Sequence, residues 1–122
     1  MGNLICILDY GSGNVASVNN MVSRLTNSKV SNSVQDLNNC SHIILPGVGS
    51  FAGAMSKILE TIPLSVLISN LSKGKPFLGI CVGMQVLFET GHEFEDVKGL
   101  GLLKGRVTKL KSSGLSLSLI HI

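Results

Sequence analysis

Leu4-Ile5-Cys6-Ile7-Leu8 is an unbroken apolar run, closed by Asp9 and the turn-rich Gly11-Ser12-Gly13-Asn14. A run this short and uniform predicts a strand buried on both faces, as in a parallel sheet. Val15, Val18, Val22 and Leu25 then recur at steps of three and four, which predicts a helix with one apolar face. Val30 and Val34 stand in polar surroundings that read as an edge strand, and His42-Ile43-Ile44-Leu45 as a second buried strand stopped by Pro46-Gly47. Ser50 is placed to cap a helix whose Phe51, Met55, Ile58 and Leu59 share a face. Pro63 opens another, with Leu64, Leu67, Ile68 and Leu71, ending at Gly74. Phe77-Leu78-Gly79-Ile80 is again strand-like and runs straight into Cys81. From Val82 to Phe88 the pattern turns helical, an acidic loop follows over Gly91–Asp96, and Leu102 to Leu110 reads as one or two strands with Lys and Arg facing out.

Strands alternating with helices predict an α/β fold, a parallel or mixed sheet with helices on both faces. In such sheets the functional groups gather at the carboxyl edge of the strands. Three loops fall there: 9–14, 46–50 and 79–83. The length of 122 residues allows one domain at most, or part of a larger one. An apolar share of 44% with 14% charged residues excludes a disordered chain. No apolar run approaches the roughly 18 residues of a membrane-spanning helix, and no secretory leader is expected. Cys6, Cys40 and Cys81 are too few and too widely spaced for a disulfide framework or a zinc site, so a reducing cytoplasm is the expected location. Ten basic against seven acidic residues leave +3, too little to argue for nucleic acid or a membrane surface as a partner.

The chemistry concentrates at Gly79-Ile80-Cys81-Val82-Gly83. Gly-x-nucleophile-x-Gly between a strand and a helix is the spacing of a nucleophile elbow, whose flanking glycines remove side chains that would clash. Cys81 would then lie at a helix N-terminus, where unpaired N–H groups favour the thiolate. The bland alternative is a buried cysteine that happens to stand among glycines. A thiolate attacking a carbonyl needs donors for the oxyanion. The N–H of Val82 is one, and Gly47-Val48-Gly49 could supply a second, although that loop also reads as a tight strand exit. Gln85 follows Cys81 by four residues, on the same side of the helix. Asn14 is most simply a helix cap.

These residues resemble a known family. Gly79-Ile80-Cys81-Val82-Gly83-Met84-Gln85 is similar to the nucleophile motif of class I glutamine amidotransferases, which have a flavodoxin-like fold. Pro46-Gly47-Val48-Gly49-Ser50-Phe51, Asp9-Tyr10-Gly11-Ser12-Gly13-Asn14 with Ser17-Val18, and Gly99-Leu100-Gly101-Leu102-Leu103-Lys104-Gly105-Arg106-Val107 resemble, more narrowly, the glutaminase subunits of imidazole glycerol phosphate synthases. The resemblance implies that Cys81 attacks the side-chain amide of glutamine, releases ammonia and forms a thioester that water hydrolyses. Val82 and Val48 would stabilise the oxyanion through their N–H groups. Gly47 and Gly49 would shape the glutamine pocket, and Gln85 would bind the substrate. Tyr10 and Asn14 would lie near the interface with a cyclase subunit, a separate (β/α)₈ barrel. Ammonia would pass to that barrel, where imidazole glycerol phosphate and an aminoimidazole carboxamide ribotide form. No metal or organic cofactor is implied.

The family completes its triad with a His-x-Glu pair on a late strand, and these 122 residues contain none. His42 opens a strand at the end away from the site, His92 lies in the acidic loop, and His121 has only Ile122 behind it. None is expected to act as general base. Residues 1–111 are therefore expected to be the amino-terminal part of a glutaminase domain, truncated on its C-terminal side. The Ser/Leu-rich residues 112–122 are expected to be foreign to it. Cys6 and Cys40 read as core, and Lys98, Lys104, Arg106, Lys109 and Lys111 as a solvated face. Three rivals stand beside this reading. One is a class I glutaminase of the anthranilate, purine or pyridoxal phosphate pathway. Another is a related single-chain cysteine hydrolase, and the last a non-catalytic partner-binding module.

Overall fold

In the computed structural model, residues 3–11 and 14–110 are described. Their elements run β1 (Leu4–Leu8), α1 (Val15–Ser23), β2 (Asn27–Ser31), α2 (Val34–Asn39), β3 (His42–Leu45), α3 (Phe51–Thr61), α4 (Leu64–Ser72), β4 (Phe77–Gly79), α5 (Val82–Gln85), β5 (Phe88–His92), β6 (Val97–Lys98) and β7 (Leu103–Thr108). Four strands form a parallel sheet in the order β2-β1-β3-β4. The last three form a mixed sheet, β6-β5-β7, with β5 antiparallel to β6 and parallel to β7.

Strand alternation divides the core into two layers. Cys6, Leu8, Ile43 and Leu45 face one way and pack with Leu37 of α2, Phe51, Met55 and Ile58 of α3, and Leu67 of α4. Ile7 and Ile44 face the other way, against Val18 and Val22 of α1. The chain leaves β1 in one direction to make β2 and returns across it to make β3, so α1 covers one face and α2 to α4 the other. That reversal puts a topological switch between β1 and β3. Crevices at such points lie outside the carboxyl ends of the strands, beside the loops after Leu8 and Leu45.

The strands at 4–8, 42–45 and 77–79, the helix capped by Ser50 and the helix opened by Pro63 form where expected. Ser50 accepts from the Gly53 N–H at 3.0 Å. Ser50→Ala should cost about 1 kcal/mol, read as a lower urea midpoint with an unchanged slope. After α4 the chain passes through Gly74 at φ 91°. There Gly74 N–H bonds Leu71 and Lys75 N–H bonds Asn70, a paired closure that satisfies the last carbonyls.

Several expectations are corrected. Helix α1 stops at Ser23, because the N–H groups of Leu25 and Thr26 both turn back to the Val22 carbonyl, and Leu25 is 84% exposed. The edge strand holds Val30 but not Val34, which opens α2. That helix hid behind its polar composition. Ser33 caps it by accepting from Asp36 N–H, and only Leu37 is buried. In α3 the core position goes to Ala54, and Leu59 faces solvent. In α4 Ile68 is likewise exposed, while Asn70 is buried and its amide donates to Asn38 Oδ1 and the Val66 carbonyl. Helix α5 ends at Gln85 instead of Phe88, and part of the expected acidic loop is strand β5. Small residues permit that strand. A Cβ on Gly91 would stand 2.5 Å from the Phe51 ring, and one on Gly99 2.1 Å from the Phe88 carbonyl. Residues 112–122, expected to be foreign, lie outside the described residues. Among the described residues, no single helix is long and apolar enough to cross a membrane.

Candidate active site

Strand β4 ends at Gly79, and the chain turns through Cys81 into α5 within three residues. Ile80 N–H still bonds the Leu45 carbonyl at 2.9 Å, which holds the turn on the end of β3. Cys81 has φ 56° and ψ −121°, and among the described residues it alone of the non-glycines has positive φ. Holding a side chain there costs on the order of 1–3 kcal/mol, and such strain gathers where a group must be presented in one direction. The thiol is exposed, whereas those of Cys6 and Cys40 are buried. Burial pushes the Cys6 thiol up to about 12, so it makes a poor nucleophile at neutral pH. Of the three cysteines, only Cys81 combines access with an elbow.

Both flanking glycines are sterically required. A Cβ on Gly83 would lie 2.0 Å from the Leu45 carbonyl oxygen, and one on Gly79 would lie 2.7 Å from the Gly83 oxygen. The turn is thus packed directly on the backbone of β3. Val82 is the first residue of α5, and an N–H at that position has no acceptor within the helix.

The loop after β3 sits against the same helix start. A Cβ on Gly47 would meet Val82 Cγ1 at 2.5 Å, the Tyr10 hydroxyl at 2.6 Å and the Gly83 nitrogen at 2.7 Å. Gly49 has φ 92° with nothing near its missing side chain, so its glycine serves backbone conformation rather than space. Val48, between the two, is exposed. The structure therefore brings together Gly47, Cys81, Val82 and Gly83, with Val48 and Gly49 on the rim.

Tyr10, expected near a partner interface, is 1% exposed, and its hydroxyl donates to the Pro46 carbonyl at 2.6 Å. The loop after β1 is thereby tied to the loop after β3, a link that sequence spacing alone did not show. Tyr10→Phe should cost about 1–2 kcal/mol and speed amide exchange in residues 47–49, because a buried carbonyl loses its donor. Asn14 stands at the start of α1, but its side chain makes no capping bond, contrary to expectation. Lys57 of α3 reaches the Gly11 carbonyl at 3.3 Å and holds the other side of this loop.

Gln85 is half-buried and lines a cavity of about 340 Å³ together with Phe51, His92, Glu93 and Lys109. Cys81 is not part of that lining, so the amide and the thiol open on neighbouring spaces. His92, at the end of β5 rather than in a loop, pairs through Nδ1 with Asp96 and lies 3.1 Å from the Thr90 hydroxyl. His42 begins β3, at the end of the sheet opposite the elbow, with Nδ1 2.8 Å from the Ser41 hydroxyl. Neither belongs to the group around Cys81. His121 lies outside the described residues. Among the described residues, no three His, Cys, Asp or Glu side chains converge as a metal site would need.

A thiol held at a strained turn, at a helix start and beside a glycine loop, has the parts required for acyl transfer. The comparisons with known proteins agree in kind. The chain is 50% identical over 107 residues to the imidazole glycerol phosphate synthase subunit HisH of Desulfitobacterium hafniense strain DSM 10664 / DCB-2, across 87% of this chain and 51% of that protein. It is 42% identical over 109 residues to the HisH of Methanocaldococcus jannaschii, across 88% and 54%. The chain thus spans about half the length of the curated relatives it matches. The fold is similar to the crystal structure of a putative peptidase E protein from Listeria monocytogenes EGD-e, with a TM-score of 0.67, 12% identity, and coverage of 84% of this chain and 64% of that one. Residues 12–114 match the model of the SNO glutamine amidotransferase family, and the chain belongs to that family.

Proposed function

We propose that these residues form the nucleophile half of the glutaminase subunit of an imidazole glycerol phosphate synthase. In this reading Cys81 Sγ attacks the side-chain carbonyl carbon of glutamine. The oxyanion is met by the N–H groups of Val82 and Val48, and the C–N bond breaks to release ammonia. Water then hydrolyses the glutamyl thioester to glutamate. Gly47 lets the oxyanion loop approach the elbow, and Gly49 lets it turn. Gln85 faces the cavity in which Glu93 and Lys109 offer one charge of each sign, as an amino acid's ammonium and carboxylate require. The ammonia would pass to a cyclase subunit, a (β/α)₈ barrel, in a cytoplasmic heterodimer. Neither nucleic acid nor membrane enters, and no cofactor is called for. The observation that carries the reading is the strained, exposed Cys81 on a turn packed against the loop 46–49.

The 42–50% identity to HisH proteins favours this pathway over others. A glutaminase of another pathway is the second reading, and the name of the matching family model is what favours it. Residues 1–111 are taken as the glutaminase part and 112–122 as foreign. The family match reaches only residue 114.

Protonation of the leaving ammonia needs a base-acid that nothing near Cys81 supplies among the described residues. The purified 122-residue chain should therefore release no measurable glutamate from glutamine, even with a histidine-pathway cyclase added. Fused to the half of a HisH relative that carries a His-x-Glu pair, it should turn over glutamine and retain that cyclase in a pull-down. Turnover by the 122 residues alone, or retention of an anthranilate-type synthase instead, would refute the proposal.

A further inference from the structure

Tyr10 stands between two anchored neighbours. Asp9 N–H bonds the Ser31 carbonyl at 3.1 Å, and the Asp9 carbonyl accepts from Asn32 Nδ2 at 3.0 Å. On the other side, the Gly11 carbonyl accepts from Lys57 Nζ at 3.3 Å. With the backbone pinned on both sides and the side chain buried, the phenol hydroxyl is a fixed point at the carboxyl edge of the sheet. Its bond to the Pro46 carbonyl, at 2.6 Å, joins that point to the loop beside Cys81.

What the bond fixes is a peptide plane. The proline ring sets φ at residue 46 and leaves ψ as the soft torsion, and ψ decides where the carbonyl points. Holding the carbonyl on Tyr10 therefore holds the whole plane between Pro46 and Gly47. Gly47 is then wedged against Val82, Gly83 and the same hydroxyl. The far end of the loop has no such support: Val48 is 49% exposed, and nothing lies within 4 Å of where a Cβ of Gly49 would stand. Between two glycines, the plane that carries the Val48 N–H turns over easily unless its start is held. The loop has one clamped end and one open end, and Tyr10 is the clamp.

We infer that Tyr10 is a positioning residue for acyl transfer, whose hydroxyl, acting through the Pro46 carbonyl, holds the Val48 N–H where the oxyanion forms beside Cys81. The inference rests on the glutaminase reading for the oxyanion role of Val48. Tyr10 touches no reacting atom. Loss of its hydroxyl leaves the thiol in place but frees the loop to adopt orientations in which the Val48 N–H faces elsewhere. A step that puts negative charge on a carbonyl oxygen then suffers, and a step without such an oxygen does not.

Two reagents separate these steps on the 122-residue chain. p-Nitrophenyl acetate acylates Cys81 through a tetrahedral oxyanion: the thiolate sulfur bonds the carbonyl carbon, the ester C–O bond breaks, and p-nitrophenolate leaves without taking a proton. Iodoacetamide alkylates the same sulfur by displacing iodide from a saturated carbon, with no oxyanion. With the Cys81→Ala chain as blank, Tyr10→Phe should slow acylation at least about tenfold, part of the loss expected when an oxyanion donor is removed, and leave alkylation within about twofold. Tyr10 is the only tyrosine in the chain, so 3-fluorotyrosine can be placed there by labelling. It keeps the hydroxyl and should restore the acylation rate. In the fused glutaminase, Tyr10→Phe should lower kcat and leave KM unchanged. Equal slowing of both reagents, or no slowing, would overturn the inference. So would a Tyr10→Phe chain without a melting transition, since the hydroxyl would then hold the fold and not the loop. A parent chain whose acylation-to-alkylation ratio matches that of its urea-unfolded form would overturn it as well. A fused chain that leaves glutamine intact would sink the glutaminase reading while the comparison of reagents still stands.

Discussion

Replacing Cys81 by Gly should raise the stability of the chain by about 1 kcal/mol or more while removing its chemistry altogether. The sign follows from the backbone. At φ 56° and ψ −121° a Cβ is strained, and glycine alone of the amino acids enters this region freely. Glycine also has more freedom to lose on folding, which offsets part of the gain, but the relief of strain is the larger effect. The measurement is a urea titration of the two chains. An equal or lower midpoint for the glycine variant would mean that the turn is not strained. In a protein that carries these residues together with a His-x-Glu pair, the same substitution should lower glutamine hydrolysis by at least about 10⁴-fold, the scale of losing a covalent nucleophile. Cys81→Ala should match that loss without the gain in stability. The contrast between the two variants separates strain from chemistry.

Gly83→Ala should produce the largest loss of stability of any single methyl group added at the site, about 3 kcal/mol or more. Alanine is the better helix former by about 1 kcal/mol, so propensity alone predicts a gain at this position in α5. Sterics outweigh it. The added carbon would lie 2.0 Å from the Leu45 carbonyl oxygen and 2.9 Å from its carbon, and these are backbone atoms of a buried strand that cannot swing aside. Either α5 lifts from β3 or the strand bends. Both outcomes would move Val82 away from the loop at Gly47, so the fused glutaminase should lose turnover along with stability. A thermal midpoint within a degree or two of the parent would show that the helix start is not seated as described.

Much of this architecture was legible because buried parallel strands declare themselves as short apolar runs. Leu4–Leu8 and His42–Leu45 needed nothing beyond that pattern, and the glycines at 79 and 83 marked the elbow between strand and helix. What stayed hidden depends on contacts distant in sequence. Helix α2 carries one buried side chain, so its apolar period was too weak to read; Ser33 as a cap was its only local signal. Strand β5 exists because Gly91 lies flat on Phe51, forty residues away, while its own Glu89, Thr90 and His92 look like loop. Tyr10 was expected near a partner interface by resemblance, and only the fold reveals that its hydroxyl reaches Pro46. For the candidate site, the residue types at Cys81, Val82 and Gly47 could be read in order. The separation of the Gln85 cavity from the thiol could not, because it depends on where α5 stops.

The order β2-β1-β3-β4 also bears on how the chain is made. Its first strand is the one against which both β2 and β3 must align, so the seam of the sheet leaves the ribosome before either neighbour exists. Each later strand finds a finished edge waiting for it, and assembly can keep pace with synthesis instead of starting after release.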